Sequence, residues 1–236
     1  MKQKVKVSLN GKTVQATIDG SNVKVSASAL TAGFGNVEIN LSKGEGNYFT
    51  YTGQAEVWDY VIGNETEFTT YLSKFDGSTY LYAKLDADIA LTTTSYTQDL
   101  SNSKNLVGYF DGQGHKILNA KAKNGLFYGF GKAVANQTTY FKNVAIVNLD
   151  KNSGNGGGIL GNEVAGNVTI DNVYFSVVDN KGVPFLGYTG KGNYTGTLVN
   201  ALCYYTKNLS SLNKIDILTE KAKELGYSSF SITDVN

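Results

Sequence analysis

Apolar and polar residues alternate in three short runs near the start of the chain. A period of two is typical of a strand with one buried face. Asn-Gly at 10–11 and Asp-Gly at 19–20 separate the runs, and both dipeptides accept the positive φ angles of tight hairpin turns. Two further apolar runs, 37–41 and 48–52, flank a glycine-rich turn. The pattern predicts a small N-terminal β-sandwich or meander domain over residues 1–54.

The apolar period becomes helical in two places. Between residues 64 and 75 the apolar side chains share one face of a helix, and Asn64 is placed as its N-cap. This pattern predicts a linker and a capping helix over 55–78. A second helical face near 213–225 is followed by a short apolar run, which predicts a helix-and-strand cap over 207–236. Repeat proteins need such caps because their terminal repeats otherwise expose unpaired backbone.

The chain repeats itself between these two helices. An apolar-Asn-apolar strand recurs with its asparagine at Asn119, Asn143, Asn172 and Asn200, separated by 24, 29 and 28 residues. Repeats of this length without helical periodicity are typical of a parallel β-solenoid. An asparagine amide can bond the next repeat or support a left-handed backbone at a corner. We therefore interpret the four asparagines as a structural ladder and predict a parallel β-helix over residues 79–206.

Glycine-bounded apolar strands precede the later copies of this repeat. Each of these strands ends on a glycine, at Gly129, Gly161 and Gly187. A glycine at the end of a strand is typical of a tight bend or of a close approach of two backbones. We expect these three glycines to form a second structural ladder.

Composition removes several classes of function. All 21 basic residues are lysine and the acidic residues number 20, which leaves a net charge of +1. Without arginine there is no guanidinium clamp for phosphate and no arginine readout of guanine, and a balanced charge gives no basic footprint for nucleic acid. No apolar run is long enough to span a membrane, and the first residues show no signal peptide. We expect no nucleic-acid partner and no membrane insertion.

The residue types needed for catalysis are sparse. The nearest carboxylate pair is Asp86 and Asp88, and we interpret it as flanking a turn into an inward Ile89. The single histidine, His115, follows Asp111 in an Asp-Gly-Gln-Gly stretch that is good turn chemistry. One histidine and one cysteine cannot make a His/Cys zinc site. We predict no catalytic residue, no metal site and no cofactor.

Three segments of the repeat region carry a resemblance to a known class of protein. They are LDADIAL at 85–91, YFDGQGHKI at 109–117 and GLF at 125–127. Together they resemble the repeat pattern of right-handed parallel β-helix proteins, which include phage tail spikes, phage fibres and bacterial surface proteins. The resemblance covers residues 60–205. It implies an all-β protein in which a right-handed parallel β-helix with short capping helices follows the N-terminal domain.

A bacteriophage virion protein is the function we expect first. The chain would be a non-enzymatic head fibre, decoration or tail-fibre subunit whose N-terminal domain docks on capsid or tail proteins. Its β-helix would project, and it could serve attachment to a host-surface glycan. The absence of cysteine pairs and of arginine is compatible with this expectation. Phage fibres of this kind are usually homotrimers, so the resemblance also implies a homotrimer.

Two alternatives stay open at the level of sequence. A bacterial surface adhesin or glycan-binding module would use aromatic side chains on the flank of the β-helix, because aromatic rings stack on sugar faces. The candidates for such stacking are Tyr188, Tyr194, Tyr204 and Tyr205. A polysaccharide depolymerase is the other alternative, since many β-helix proteins cleave glycans. Localisation on the cell surface would accompany the adhesin, and localisation in the virion the structural protein.

Overall fold

The structure is a computed structural model of the whole chain. It describes residues 3–43, 45, 47–123, 125–132, 137–151, 161–178, 186–188 and 195–206. The chain divides into two compact units, Met1–Asp59 and Tyr60–Asn236. Strands dominate both units, so the prediction of an all-β protein is confirmed. The predicted helix and strand over 207–236 lie outside the described residues.

The first unit is built from antiparallel strands. Its strands are β1 (Lys4–Leu9), β2 (Lys12–Val14), β3 (Ala16–Asp19), β4 (Asn22–Val25), β5 (Gly33–Ser42) and β6 (Asn47–Val57). One sheet has the order β2-β1-β5-β6, and β3 pairs with β4 as a separate hairpin. Asn10, Gly11 and Gly20 have positive φ, as the two turn dipeptides predict. The last strand continues beyond residue 54, the boundary expected from sequence.

The sheet of the first unit has one apolar and one polar face. In register across it, Val7 lies opposite Ile39, and Ile39 lies opposite Tyr51. The polar face carries bonded amides, such as Gln54 donating to Asn36 Oδ1 at 2.6 Å. Val7 is the only buried hydrophobic side chain among the described residues of this unit. A core this thin gives little stabilisation from burial.

The second unit is built from parallel strands. They are β7 (Tyr60–Ile62), β8 (Leu81–Leu85), β9 (Ile89–Ala90), β10 (Gly108–Asp111), β11 (Lys116–Leu118), β12 (Lys121–Ala122), β13 (Phe127–Gly131), β14 (Thr138–Lys151), β15 (Gly161–Ala165), β16 (Asn167–Val178), β17 (Leu186–Tyr188) and β18 (Thr195–Thr206). One sheet has the order β18-β16-β14-β10-β8-β7, with β9, β11 and β12 beside it. A three-stranded sheet has the order β13-β15-β17. Strand β7 lies within the segment 55–78 that the sequence analysis assigns to a linker and a helix.

The core of the second unit consists of residues stacked in register. Phe110 lies opposite Ala83 on one side and Phe141 on the other, and Phe141 lies opposite Ile170. Three of these side chains are fully buried, and Ile170 is 2% exposed. The rings of Phe110 and Phe141 stack with centroids 5.1 Å apart. Because an apolar residue occupies this register position on each of the four strands, the buried core runs without interruption from strand to strand.

The glycines predicted to form a ladder do not share one register. Gly161 lies opposite Phe127 and Leu186, while Gly129 lies opposite Glu163. Gly187 is the residue after Leu186 and is therefore one position out of line with Gly161. The alignment by glycine was wrong because the strand pairing follows the inward apolar positions instead. Gly161 still needs its small size, since an added Cβ would lie 3.0 Å from the ring of Phe130.

Helix α1 (Glu65–Leu72) packs its apolar face on the core of the second unit. Asn64 is its N-cap, as predicted, and its Oδ1 accepts from the Glu67 backbone N–H at 3.0 Å. Glu67 in turn accepts from the backbone N–H of Gly63 at 2.7 Å, which completes a reciprocal cap. A second helix, α2 (Thr97–Leu100), is a single turn.

Glu65 ties the start of α1 to the loop after β9. Its carboxylate accepts from the Thr92 hydroxyl at 2.6 Å and from the backbone N–H groups of Thr92 and Thr93, each at 2.8 Å. These bonds, that of the Thr92 hydroxyl first, lower the pKa of Glu65. A carboxyl with a lowered pKa in the folded state stabilises the fold above its unfolded pKa, and this contribution is lost as the pH falls.

We expect Glu65→Gln to destabilise the protein at pH 7 and to have a smaller effect at pH 3. The physical reason is that the native carboxyl becomes neutral on acidification, so the variant and the parent then carry the same charge at this position. Urea denaturation followed by circular dichroism at the two pH values measures the difference. A difference in stability that is equal at both pH values would contradict the bonding described for Glu65.

Candidate functional site

A column of tyrosines runs along the outer side of the large parallel sheet. Tyr82, Tyr109 and Tyr140 lie opposite one another on β8, β10 and β14. Their ring centroids are 6.2 Å apart between Tyr82 and Tyr109 and 5.2 Å apart between Tyr109 and Tyr140. Tyr80 extends the column, with its centroid 5.1 Å from that of Tyr82. We call these four residues the tyrosine column.

The rings of the tyrosine column are half-buried and pack against one another. Tyr82 and Tyr109 are stacked at 25°, while the other two pairs are tilted at 48° and 59°. The hydroxyl of Tyr80 donates to the carbonyl oxygen of Thr138 at 2.8 Å. Burial is the main cause that raises the pKa of Tyr80, followed by the neighbouring tyrosines. The phenol therefore stays neutral and remains a donor. Because each ring packs against the next, much of the ring surface in the column is used by contacts within the column.

A column of alternating charges lies beside the tyrosine column. Lys84, Asp111, Lys142 and Asp171 occupy one register position on β8, β10, β14 and β16. The Nζ atom of Lys142 is 3.3 Å from Oδ2 of Asp111. The same ammonium lies 4.8 Å from the ring centroid of Tyr109. Opposite charges at one register position on neighbouring strands attract each other, which favours this register.

Asp111 is a buried polar side chain of this face with several bonded partners. It is 5% exposed. Its Oδ1 accepts from the Gln113 backbone N–H at 2.9 Å and from Nδ2 of Asn143 at 3.0 Å. Partial burial acts to lower the pKa of Lys142, but hydrogen bonding to Tyr109 and the charge of Asp111 outweigh it and raise the pKa. Lys142 therefore keeps its positive charge beside Asp111 at neutral pH.

The predicted asparagine ladder divides into two shorter ones. Asn172 donates from Nδ2 to Oδ1 of Asn143 at 3.0 Å, and both have φ near +52°, in the left-handed region. On β18, Val199 pairs with Asp171 and Ala201 pairs with Val173. Asn200, between them, is therefore level with Asn172. Asn119, however, is bonded to Asn148, whose Nδ2 donates to its Oδ1 at 3.4 Å.

Asn119 was misplaced because the repeat contains two left-handed corners. Ile117 lies opposite Ile146, so Asn119 falls beside Asn148 at the second corner. At the first corner the place of asparagine before Asn143 is taken by Gly112, whose backbone N–H donates to the Lys142 carbonyl oxygen at 2.8 Å. Glycine is favoured there by space and not by its φ, since an added Cβ would lie 2.5 Å from the carbonyl oxygen of Asn143, and the positive φ falls on the next residue, Gln113, at +52°.

Asp111→Ala is expected to lower the free energy of unfolding by about 2–3 kcal/mol. The substitution leaves the amide of Asn143 without an acceptor and the half-buried Lys142 without its counter-charge. In a Lys142→Met background the same substitution is expected to cost less, since no charge is then left uncompensated. Urea denaturation of the four proteins of this double-mutant cycle measures the coupling. Strictly additive effects would contradict the pairing.

Of the carboxylates and the histidine considered for catalysis, the structure brings only Asp88 and His115 into contact. Asp86 and Asp88 are exposed in the bend between β8 and β9, and the next residue, Ile89, is 1% exposed. His115 Nδ1 lies 3.3 Å from Oδ1 of Asp88, an oxygen that also accepts from the Lys116 backbone N–H at 3.0 Å. The carboxylate of Asp111 binds Lys142, Asn143 and the backbone N–H of Gln113. These groups serve turns and strand ends.

The tyrosines proposed for glycan stacking lie at the far end of the repeats. Tyr188 is on β17, opposite Glu163, while Tyr204 and Tyr205 are on β18, opposite Ser176 and Val177. Tyr194 lies outside the described residues.

Sequence reasoning missed the tyrosine column, although a signal was present. A triplet of Tyr, an apolar residue and a charged residue occurs at 82–84, 109–111 and 140–142. Thr169, Ile170 and Asp171 continue it with a threonine in place of the tyrosine. An alignment that required the apolar centre of each triplet to be buried would have found both outer columns.

Comparison with known proteins gives no relative for this chain. No protein-family model, no curated protein and no solved structure matches it. In the part of the chain that the structure describes, no group of three or more metal-ligating side chains comes together. None of the helices described is long and apolar enough to cross a membrane.

Proposed function

We propose that this chain is a non-enzymatic structural protein of bacteriophage particles, a head fibre, a decoration protein or a tail-fibre subunit. The observation that carries the proposal is how the outer face of the large sheet uses its polar groups. The tyrosine rings pack against each other, and Asp111 is bonded to Lys142, Asn143 and a backbone N–H. Side chains bonded in this way stabilise the stacking of strands, which is what a fibre needs.

The proposed architecture is a right-handed parallel β-helix. Its support is that consecutive strands of the chain belong in turn to one parallel sheet and then to the other. Strands β13, β15 and β17 belong to the three-stranded sheet, and β14, β16 and β18, which alternate with them along the chain, belong to the large sheet. Each pair of consecutive strands would be one coil. Right-handed crossovers between parallel strands are strongly preferred, which supports the hand.

The first unit is the proposed docking domain. Its support is the thin core around Val7, the only buried hydrophobic side chain among the described residues of this unit. A small sheet with one half-covered apolar face gains stability when a partner covers that face. Capsid or tail proteins are the proposed partners, and the second unit would project from the particle.

Mass spectrometry of density-purified particles, released by the strain that carries the gene, tests this function. We expect the chain in the particles at a fixed ratio to the major capsid protein, and retained after high-salt washing. Absence from the particles would refute the proposal. Purified protein incubated with capsular polysaccharides is expected to release no reducing ends and no unsaturated products. Release of either would favour the depolymerase instead.

A further inference from the structure

The two edges of the sheet in the first unit differ greatly in length. Strand β2 forms one edge with three residues, while β6 forms the other with eleven. Among the described strands, β6 pairs only with β5. Soluble proteins usually protect a long edge with lysine, proline or a covering segment. The β6 sequence holds neither lysine nor proline, and Glu56 is its one charged residue.

On the apolar face of the sheet, the side chains of β6 are exposed. Phe49 is 51% exposed and Tyr51 is 48% exposed, and both belong to the same face as Val7 and Ile39. A sheet edge with unpaired backbone groups and exposed apolar side chains is suited to the addition of another strand. That strand would extend the sheet and cover both aromatic side chains.

The residue pattern of β6 is complementary to itself. When two copies are aligned antiparallel about Thr52, the middle residue of the strand, Tyr51 falls opposite Gly53 and Phe49 falls opposite Ala55. Phe49 then lies beside a small residue. The ring of Tyr51 lies over Gly53 of its own strand and would adjoin the Tyr51 ring of the other copy. Glu56 falls opposite position 48 of the other copy, so no like charges meet. With one carboxylate and no lysine, the strand has little charge with which to select a charged partner.

We propose that a second copy of this chain is the occupant of this edge. Two β6 strands pair antiparallel about a two-fold axis at Thr52 and join two four-stranded sheets into one of eight. Pairing along eleven residues forms about ten backbone hydrogen bonds, the number found in a typical specific interface. The inference rests on the edge alone and does not depend on the virion function. It predicts a dimer, whereas the resemblance to phage fibres implies a trimer.

Thr52→Lys tests the proposal without opposing the fold of the single chain. On β5 the residue opposite Thr52 is Glu38, so the new lysine gains a favourable neighbour within its own sheet. Across the two-fold axis it meets an identical lysine. Thr13→Lys is the matched control, because Thr13 is an exposed threonine on the same polar face at the β2 edge.

Light scattering coupled to size-exclusion chromatography at micromolar concentrations measures the outcome. We expect about 51 kDa for the parent and for Thr13→Lys, twice the chain mass of 25.4 kDa. For Thr52→Lys we expect at least a tenfold weaker dimer, with circular dichroism unchanged. A parent mass near 25 kDa or near 76 kDa would overturn the proposal. An equal mass for both lysine variants would overturn it as well.

Thr52→Cys examines the register directly. The two residues at position 52 face each other across the proposed axis, at a separation that suits a disulfide. We expect mild oxidation to produce a covalent dimer of Thr52→Cys. The Thr13→Cys control, which shares the native Cys203, is expected to stay monomeric on a denaturing gel. Failure of Thr52→Cys to cross-link would overturn the proposed pairing and would favour a strand from another protein at this edge.

Discussion

Replacing Phe141 with alanine is expected to lower the free energy of unfolding of the second unit by about 3–5 kcal/mol. Phe141 is fully buried, and its ring contacts three others. The centroid distances are 5.1 Å to Phe110, 5.5 Å to Phe127 and 5.6 Å to Phe130. The loss combines the transfer energy of the ring with a cavity that rigid neighbouring strands cannot close.

Urea denaturation followed by circular dichroism measures this loss. Val61→Ala is the control, since Val61 is 48% exposed in the same unit and its truncation is expected to cost less than about 1 kcal/mol. Trp58 is the single tryptophan and lies in the first unit, so its fluorescence tests whether that unit is unaffected. A cost below about 1.5 kcal/mol for Phe141→Ala would contradict the stacked aromatic core.

Gly131→Ala is expected to be comparably damaging, at about 3–5 kcal/mol. Gly131 is buried at the end of β13 with φ +79°. An added Cβ would lie 2.0 Å from the carbonyl oxygen of Ala165, and a backbone atom held in the neighbouring strand cannot move away cheaply. The cost therefore combines an unfavourable φ with a steric clash.

Gly114→Ala separates these two causes. Gly114 has a similar φ of +84°, but nothing lies within 4 Å of an added Cβ. Its substitution is expected to cost only the conformational part, about 1–2 kcal/mol. Thermal or urea denaturation of the two variants, side by side, gives the steric part as the difference. Equal costs would contradict the close approach of β13 and β15 at Gly131.

Local features of the fold were predictable from the sequence. The turns at 10–11 and 19–20 form because asparagine and glycine accept a positive φ. Helix α1 begins after Asn64 because its side chain bonds an otherwise unpaired backbone N–H. Both signals lie within a few residues of each other, so no knowledge of distant pairing is needed.

Long-range register was predictable only in part. The alignment of Asn143 with Asn172 was readable because the apolar residues on both sides agree. The earlier repeat could not be aligned by asparagine, because Gly112 takes the first corner and Asn119 the second. The tyrosine column was missed for a related reason: a residue on the outer face of a strand has no obligatory type. The pairing of the buried Phe110 with Phe141 sets the register of β10 and β14, and this register places Tyr109 beside Tyr140.

Cryo-electron microscopy of assembled particles tests the central claim, that this chain is a structural part of a bacteriophage virion, most directly. We predict density for the chain at the particle surface, with the first unit against capsid or tail proteins and the second unit projecting outward. Within the projection, parallel strands should stack about 4.8 Å apart, with Tyr82, Tyr109 and Tyr140 in one column. Particles that carry no density for this chain would contradict the claim.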